Sequence, residues 1–403
     1  MKESPPRIEK IHLRNFKSIG DQLVELDPFT LFVGSNGTGK SNFLDAIHFV
    51  QESVSQTIDY AFRSRGGINA VRRRSRGHPY NIGIRLEINL GNEIYADYSF
   101  EISAKHGESY RVKQERCVVN KFMEETHQFE TEGGEFKKEL PGISPVIEPD
   151  DLILKKIAGE KPFNRVYDFL SSMRFYSIVP SELREYQEAA EMKYLKKDGS
   201  NAASIMKQLE TSEHEWNYNR LCEALRKVVQ GVESVEFKSV GQKETISFRL
   251  DVGDKNPWRF EAMNMSDGTL RVFGLLLAIY QTGDPSVVGI EEPESTVHPA
   301  VAEVIVDLLM GASTHRQVLV TTHSPDILDY KDLPIEALRI VGMEKGETFI
   351  SGVKEETKEI LKENLYSAGE LLSKNELKTD REASVESSEQ LSLFGEPFKQ
   401  LKK

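Results

Sequence analysis

Residues Gly34-Ser35-Asn36-Gly37-Thr38-Gly39-Lys40-Ser41 constrain this chain more than any other stretch, because they complete the pattern GxxxxGK[ST]. The pattern lies between an apolar run, Phe29 to Val33, and a segment whose apolar residues Leu44, Ile47, Val50, Val54 and Ile58 recur every three or four positions. A strand therefore feeds a glycine loop that opens a helix near Asn42. Glycines there let the backbone wrap an anion, so that N–H groups and the helix N-terminus face phosphate oxygens. In this reading Lys40 reaches the outer phosphates of ATP and Ser41 binds Mg2+. A Gly-rich turn with a chance lysine would require neither the strand before it nor the helix after it.

A phosphate loop specifies nucleotide binding; hydrolysis also needs carboxylates beside it. Val287 to Ile290 is an apolar strand that ends in Glu291-Glu292-Pro293-Glu294. Glu291 is the candidate metal-side acid, and Glu292 the general base or water-orienting residue. Taken alone, the two acids would read as a solvated loop after a strand. Val318 to Thr321 is another strand, ending in Thr322-His323, where a histidine can donate to the γ-phosphate.

Helix and strand alternate after Ser266, which implies parallel strands with helical crossovers. Earlier, Ile82, Ile84, Leu86, Ile88 and Leu90 alternate with polar residues, and Gly91-Asn92 turns the chain into a hairpin partner, Ile94 to Ile102. Residues from about Cys117 to Leu170 are polar and Gly-containing and yield little pattern. A helix-rich region runs to about Val232, broken by a turn at Lys197 to Asn201, and strands return between Val235 and Arg259. Leu338 to Val341 and Thr348 to Val353 form a closing hairpin. The expected fold is thus α/β, a phosphate-loop head with a mixed sheet, an antiparallel β-layer and an inserted helical second lobe. The head spans 1–375, with its first lobe at about 1–118 and 262–375 and the insertion at about 119–261. A Ser/Glu/Lys-rich disordered tail is expected over 376–403.

Charge and cysteine content limit the setting. The chain of 403 residues carries 52 Lys+Arg against 64 Asp+Glu, a net charge of −12, which excludes bulk coating of nucleic acid. Cys117 and Cys222 are its only cysteines, too few for a disulfide scaffold, and the first residues lack the apolar core of a signal peptide. No apolar run reaches membrane-spanning length. A cytoplasmic protein that enters no membrane is expected.

The motifs together resemble the SMC/RecF/OLD-like branch of ABC-type ATPases. Gly34 to Asn42, followed by Leu44-Asp45-Ala46-Ile47, is similar to its Walker A segment, and Asn264-Met265-Ser266-Asp267-Gly268-Thr269-Leu270-Arg271 resembles its signature motif. Ser266 precedes Glu292 by 26 positions, the interval expected between signature and Walker B. Glu291-Glu292-Pro293-Glu294 with Val297-His298-Pro299 looks like the Walker B segment and following loop, and Thr322-His323-Ser324-Pro325 like the switch histidine. Stand-alone RecF-like AAA-type ATPases of bacteria and archaea are the nearest type, with counterparts to Gly66 through Arg73 and to Gly199-Ser200-Asn201. The resemblance covers most of residues 7–375. It implies a nucleotide-gated homodimer in which Ser266, Asp267 and Gly268 act in trans on the site holding Lys40, Ser41, Glu291, Glu292 and His323. Glu291 stands where most ABC proteins have Asp. The family's Q-loop glutamine has three candidates, Gln51, Gln114 and Gln187, with none preferred.

Lys40 and Glu292 lie 252 positions apart, which requires an insertion longer than a transporter cassette holds. The intervening residues lack sustained heptads, so a compact lobe is expected rather than a coiled coil. Only 80 residues follow His323, with no Asp-x-Asp pair among them, and a TOPRIM nuclease of the OLD kind is not expected. Between Ala61 and Tyr80 the arginines Arg63, Arg65, Arg72, Arg73, Arg74 and Arg76 occur with no acid, a candidate DNA-phosphate surface or an interface loop. In the tail, Gln390-Leu391-Ser392-Leu393-Phe394 resembles the peptide by which bacterial repair proteins dock on the sliding clamp. The function expected is ATP hydrolysis in DNA repair or antiviral defence. The alternative is an ATPase switch that governs a partner nuclease or toxin as its effector protein.

Overall fold

The computed structural model describes residues 5–74, 81–104, 109–121, 126–138, 145–363, 365–377, 379–380 and 392–395. Strands β1 (Arg7–Phe16), β2 (Ile19–Glu25) and β3 (Phe29–Val33) lead into the phosphate loop and the helix Lys40–Ser55. Next comes an antiparallel meander of β4 (Ile82–Asn89), β5 (Ile94–Ala104), β6 (Tyr110–Lys121), β7 (His127–Glu132) and β8 (Glu135–Lys138). β9 (Arg174–Tyr176) precedes a small antiparallel sheet made of β10 (Gln187–Glu188), β11 (Val232–Val240), β12 (Lys243–Leu250) and β13 (Trp258–Glu261). The chain then returns through β14 (Val287–Glu291), β15 (Gln317–Thr322), β16 (Leu338–Glu344) and β17 (Glu347–Ser351).

One 13-stranded sheet runs in the order β8-β7-β6-β5-β4-β1-β2-β17-β16-β3-β15-β14-β9. Its strands β9, β14, β15, β3 and β16 are parallel, and the meander side is antiparallel. All five residues of β3 are buried because the sheet is covered on both faces. Phe32 enters one core with Phe43 and Ile47 of the phosphate-loop helix, whereas Leu31 and Val33 enter another with Phe273, Leu276 and Ile290. Truncating Phe32 to Ala would cost ~3–5 kcal/mol in lost burial and cavity formation. Among the described residues no helix is long and apolar enough to cross a membrane.

Three expectations change. The expected boundary at 119 falls inside β6, and the antiparallel meander continues in the same sheet through Lys138. The insertion also shares a core with the signature-side helix Asp267–Tyr280, to which it contributes Ile205, Leu209 and Leu225. Finally, the tail is not uniformly loose: Leu377 is buried, and Ser392–Gly395 pack on the meander with Leu393 buried. Gln390 and Leu391 lie outside the described residues, as does Arg76.

Candidate nucleotide site

Gly39 takes φ +103°, a left-handed conformation that an L side chain adopts only with strain, and a Cβ there would lie 2.1 Å from Thr348 Oγ1. Glycine is therefore required for two independent reasons. Gly39 also precedes the helix without any side-chain cap, which leaves the first-turn N–H groups for a ligand. The Lys40 ammonium donates to the carbonyls of Gly34 and Ser35 at 2.7 and 2.9 Å. Burial lowers the Lys40 pKa, and the nearby charges of Glu292 and Glu294 oppose that shift.

A hydroxyl network fixes the loop. Thr348 Oγ1 donates to Thr38 O at 2.8 Å and lies 2.7 Å from Ser18 Oγ, which accepts from Asn42 Nδ2 at 2.8 Å. Ser18 and Thr348 were not candidates from sequence. They arrive from the β1–β2 turn and from β17, more than 300 positions apart.

β14 delivers the acids. Glu291 Oε1 forms an ion pair with Lys197 Nζ at 3.2 Å, which brings the Lys197–Asn201 turn against this carboxylate. Buried Asn201 shapes that turn, accepting from Lys196 N and donating to Tyr194 O. Glu292 has φ +45°, and Thr296 has φ +68°. A non-glycine residue held there costs ~1–3 kcal/mol, and its neighbours must enforce it. Glu292 N donates to Thr321 O at 3.0 Å, and Glu292 O accepts from Arg271 Nη2 at 2.9 Å. Arg271 sits on the helix opened by the signature motif, so it ties that helix to the acid loop.

His323 Nδ1 lies 3.2 Å from Glu292 Oε1 yet lacks the alignment of a hydrogen bond. Their proximity is one of charge and position. Glu294 turns inward, accepting from Thr322 Oγ1 at 2.6 Å and His323 N at 3.3 Å, while its buried Oε2 has no partner. Sequence quoted Glu294 as part of a motif but gave it no role; its position supports the histidine backbone. Unpartnered buried atoms on Glu294 and His323, beside Lys40, are what a site shaped for a further polar ligand requires.

The signature residues sit at a separate place. Ser266 caps the helix Asp267–Tyr280 by accepting from Thr269 N at 3.2 Å, and Asp267 pairs with Arg184. Ser266 and Asp267 are exposed. A Cβ on Gly268 would lie 3.0 Å from Thr296 O, so glycine lets the acid loop approach. These residues line a groove of about 600 Å³ with Thr296, Val297 and His298.

Several candidates are engaged elsewhere. Arg65 is buried between Asp45 and Glu52, with Arg65 Nη2 2.8 Å from Asp45, and cannot serve a DNA surface. Arg73 pairs with Glu347 at 2.8 Å, Arg63 pairs with Asp59 through exposed side chains, and Arg72 is half-buried; Arg74 is exposed. The five described arginines therefore do not form one free patch. Gln51 donates to Ser55 Oγ, Gln114 to Glu130, and Gln187 to Glu182 O and Gly199 O, so none of the three turns to the phosphate loop.

Residues 29–329 match the family described as "AAA domain, putative AbiEii toxin, Type IV TA system". The chain belongs to this family. The matched span of this AAA-domain chain runs from β3 past the switch histidine and takes in all four motifs. Over 124 residues it is 34% identical to Structural maintenance of chromosomes protein 1 of Arabidopsis thaliana, which covers 28% of this chain and 9% of that one. Over 188 residues it is 29% identical to the DNA double-strand break repair Rad50 ATPase of Thermoplasma volcanium, covering 41% and 21%. The chain thus spans no more than 21% of the length of these two relatives. A solved Smc head bound to the C-winged helix domain of ScpA superposes with a TM-score of 0.52 at 15% identity, over 87% of this chain and 99% of that one. The fold of this family member is that of an SMC-type ABC ATPase head.

Proposed function

We propose that this chain hydrolyses ATP and works as a nucleotide-gated homodimer in DNA repair or in defence against foreign DNA, in the cytoplasm. The observation that carries the reading is Glu292, strained at the end of β14, with its Oε1 3.2 Å from His323 Nδ1 and its charge felt by buried Lys40. A base, a polar sensor and a phosphate-binding ammonium converge on one point.

The roles follow from the chemistry of each group. Lys40 and the uncapped N–H groups of its helix bind and orient the phosphates. Ser41 and Glu291 would hold Mg2+, which when bound neutralises charge on the phosphoryl oxygens. Two side chains suit a cation that keeps most of its shell as water and phosphate oxygen. Glu292 takes the proton of the attacking water. His323 donates toward the γ-phosphate, and Glu294 positions it. Exposed Ser266 and Asp267, with half-buried Gly268 beside them on a groove, serve the site of a second copy.

The decisive substitution is Glu292→Gln. Loss of a general base removes ~10²–10⁴-fold in turnover while phosphate contacts persist, so ATP should bind and trap a dimer detectable by light scattering. Unimpaired turnover would overturn the assignment. A second reading has its own support in the family description, which names a toxin system. There, nucleotide occupancy governs a partner effector and DNA is not handled. ATPase assays with single- and double-stranded DNA, beside a Lys40→Ala control, separate the two: stimulation favours the first reading. Arg63 and Arg74 are the exposed cations to test for DNA contact.

A further inference from the structure

The outward face of the meander has the composition of a wet surface and the burial of a core. Cross-strand partners form one row on it: His12 pairs with Arg85, Arg85 with Ser99, and Ser99 with Arg116. Their exposures are 1%, 2%, 0% and 8%. The alternate residues Ile84, Leu86, Tyr98 and Cys117 fill the apolar core on the other face. A polar row opposite such a core is ordinarily solvated. Here it is covered, and the described tail segment supplies contacts to it.

Those contacts are specific. Arg85, anchored on Asp97, donates from Nη1 to Ser392 O at 2.7 Å. Arg116 Nη1 donates to Phe394 O and Gly395 O, each at 2.8 Å. The segment is itself a turn, closed by Gly395 N donating to Ser392 O at 3.1 Å. Leu393, 3% exposed, fills a notch over Gly83, where a Cβ would lie 2.2 Å from Leu393 Cδ1. Two buried guanidinium groups thus read backbone carbonyls, and a missing side chain reads the leucine. Main-chain bonds for hold and one pocket for choice is how peptide sites work. On Arg116 two carbonyls meet one guanidinium nitrogen, and hydrogen bonds from a charged donor are stronger than neutral ones, which makes the pairing more than a chance surface contact.

We propose that this face is a peptide-binding site whose built-in ligand is the turn Ser392–Gly395, so that the tail is latched in cis and Leu393 reaches a partner only when the latch opens. Leu393 and Phe394 are the apolar pair of the clamp-like peptide, so head and partner compete for one leucine. The inference is independent of whether the nucleotide site hydrolyses ATP.

The test uses the full chain and a fluorescent peptide of residues 386–398. A tethered tail has an effective concentration of about a millimolar, so micromolar peptide should bind wild type about tenfold or more weakly than Leu393→Asp, whose own tail is released. Gly83→Val fills the notch and should bind the peptide no better than wild type. Arg116→Gln serves the same arm should Gly83→Val fail to fold. In limited proteolysis the tail of Leu393→Asp should be cut about tenfold faster than that of wild type. Equal cutting of the two proteins, or equal affinity of both for the peptide, overturns the latch.

Discussion

The phosphate loop and the signature cap are both helix N-termini suited to an anion, but the chain finishes them differently. Gly39 gives its helix no side-chain cap, and the loop around it is braced by Ser18 and Thr348 from elsewhere in the chain and by Asn42 of its own helix. Ser266 commits its hydroxyl to Thr269 of its own first turn and stands exposed. One end is preorganised within a single chain, with its lysine buried. The other is self-satisfied until something displaces that cap bond. The contrast is what a site shared between two copies would need: a fixed half that binds, and an accessible half that is recruited.

The largest break in that comparison is Lys40→Ala. It removes a charge-assisted phosphate contact and should weaken ATP binding by ~10²-fold or more, read by titration with a fluorescent ATP analogue. Ser266→Arg should leave that affinity within about threefold while abolishing turnover. Mixing these two inactive proteins should restore part of the activity, because one site in the mixed dimer keeps both halves; no recovery would return the signature to its own chain. A smaller effect is expected for Thr348→Val, which deletes two hydrogen bonds of ~1 kcal/mol each around the loop and should lower ATP affinity by up to about tenfold.

The smallest effect lies outside both ends and serves as their control. Glu115 is buried in the meander core, where it accepts from Ile153 N, Leu154 N and Tyr98 Oη, and burial raises its pKa to about 7. The folded state therefore holds this proton more tightly than the unfolded chain. Its contribution to stability is complete below the unfolded pKa and is lost as pH rises through about 7. Glu115→Gln should flatten that decline in thermal unfolding between about pH 5 and 8 relative to wild type, with ATP affinity unchanged.

Much of this layout is legible in the sequence because it is local. The loop glycines, the strand before them and the alternation of Ile82 to Leu90 each declare their structure within a dozen residues. The meander beyond Cys117 does not, since β7 and the edge strand β8 carry Glu, Lys, Gln and Thr, which suit a solvated rim of the sheet and read as loop. The roles of Ser18, Lys197, Arg271 and Thr348 are hidden for another reason: each acts on a motif from which it is distant in sequence. Arg65 shows the same limit in reverse, because an arginine in an acid-free stretch finds Asp45 and Glu52 only once the helix Lys40–Ser55 is in place.

The position of β3 has a consequence for how the protein is made. Its sheet neighbours are β15 and β16, which follow it by more than 280 residues, whereas β1 finds β2 and β4 early. During translation at ~5–20 residues per second, Phe29 to Val33 wait roughly a quarter of a minute to a minute for their partners to leave the ribosome. Throughout that interval the most apolar strand of the ATP site is an unpaired edge. A nascent chain halted before Gln317 would present it as a ready substrate for a chaperone or for aggregation, and the nucleotide pocket would be among the last parts of the molecule to exist.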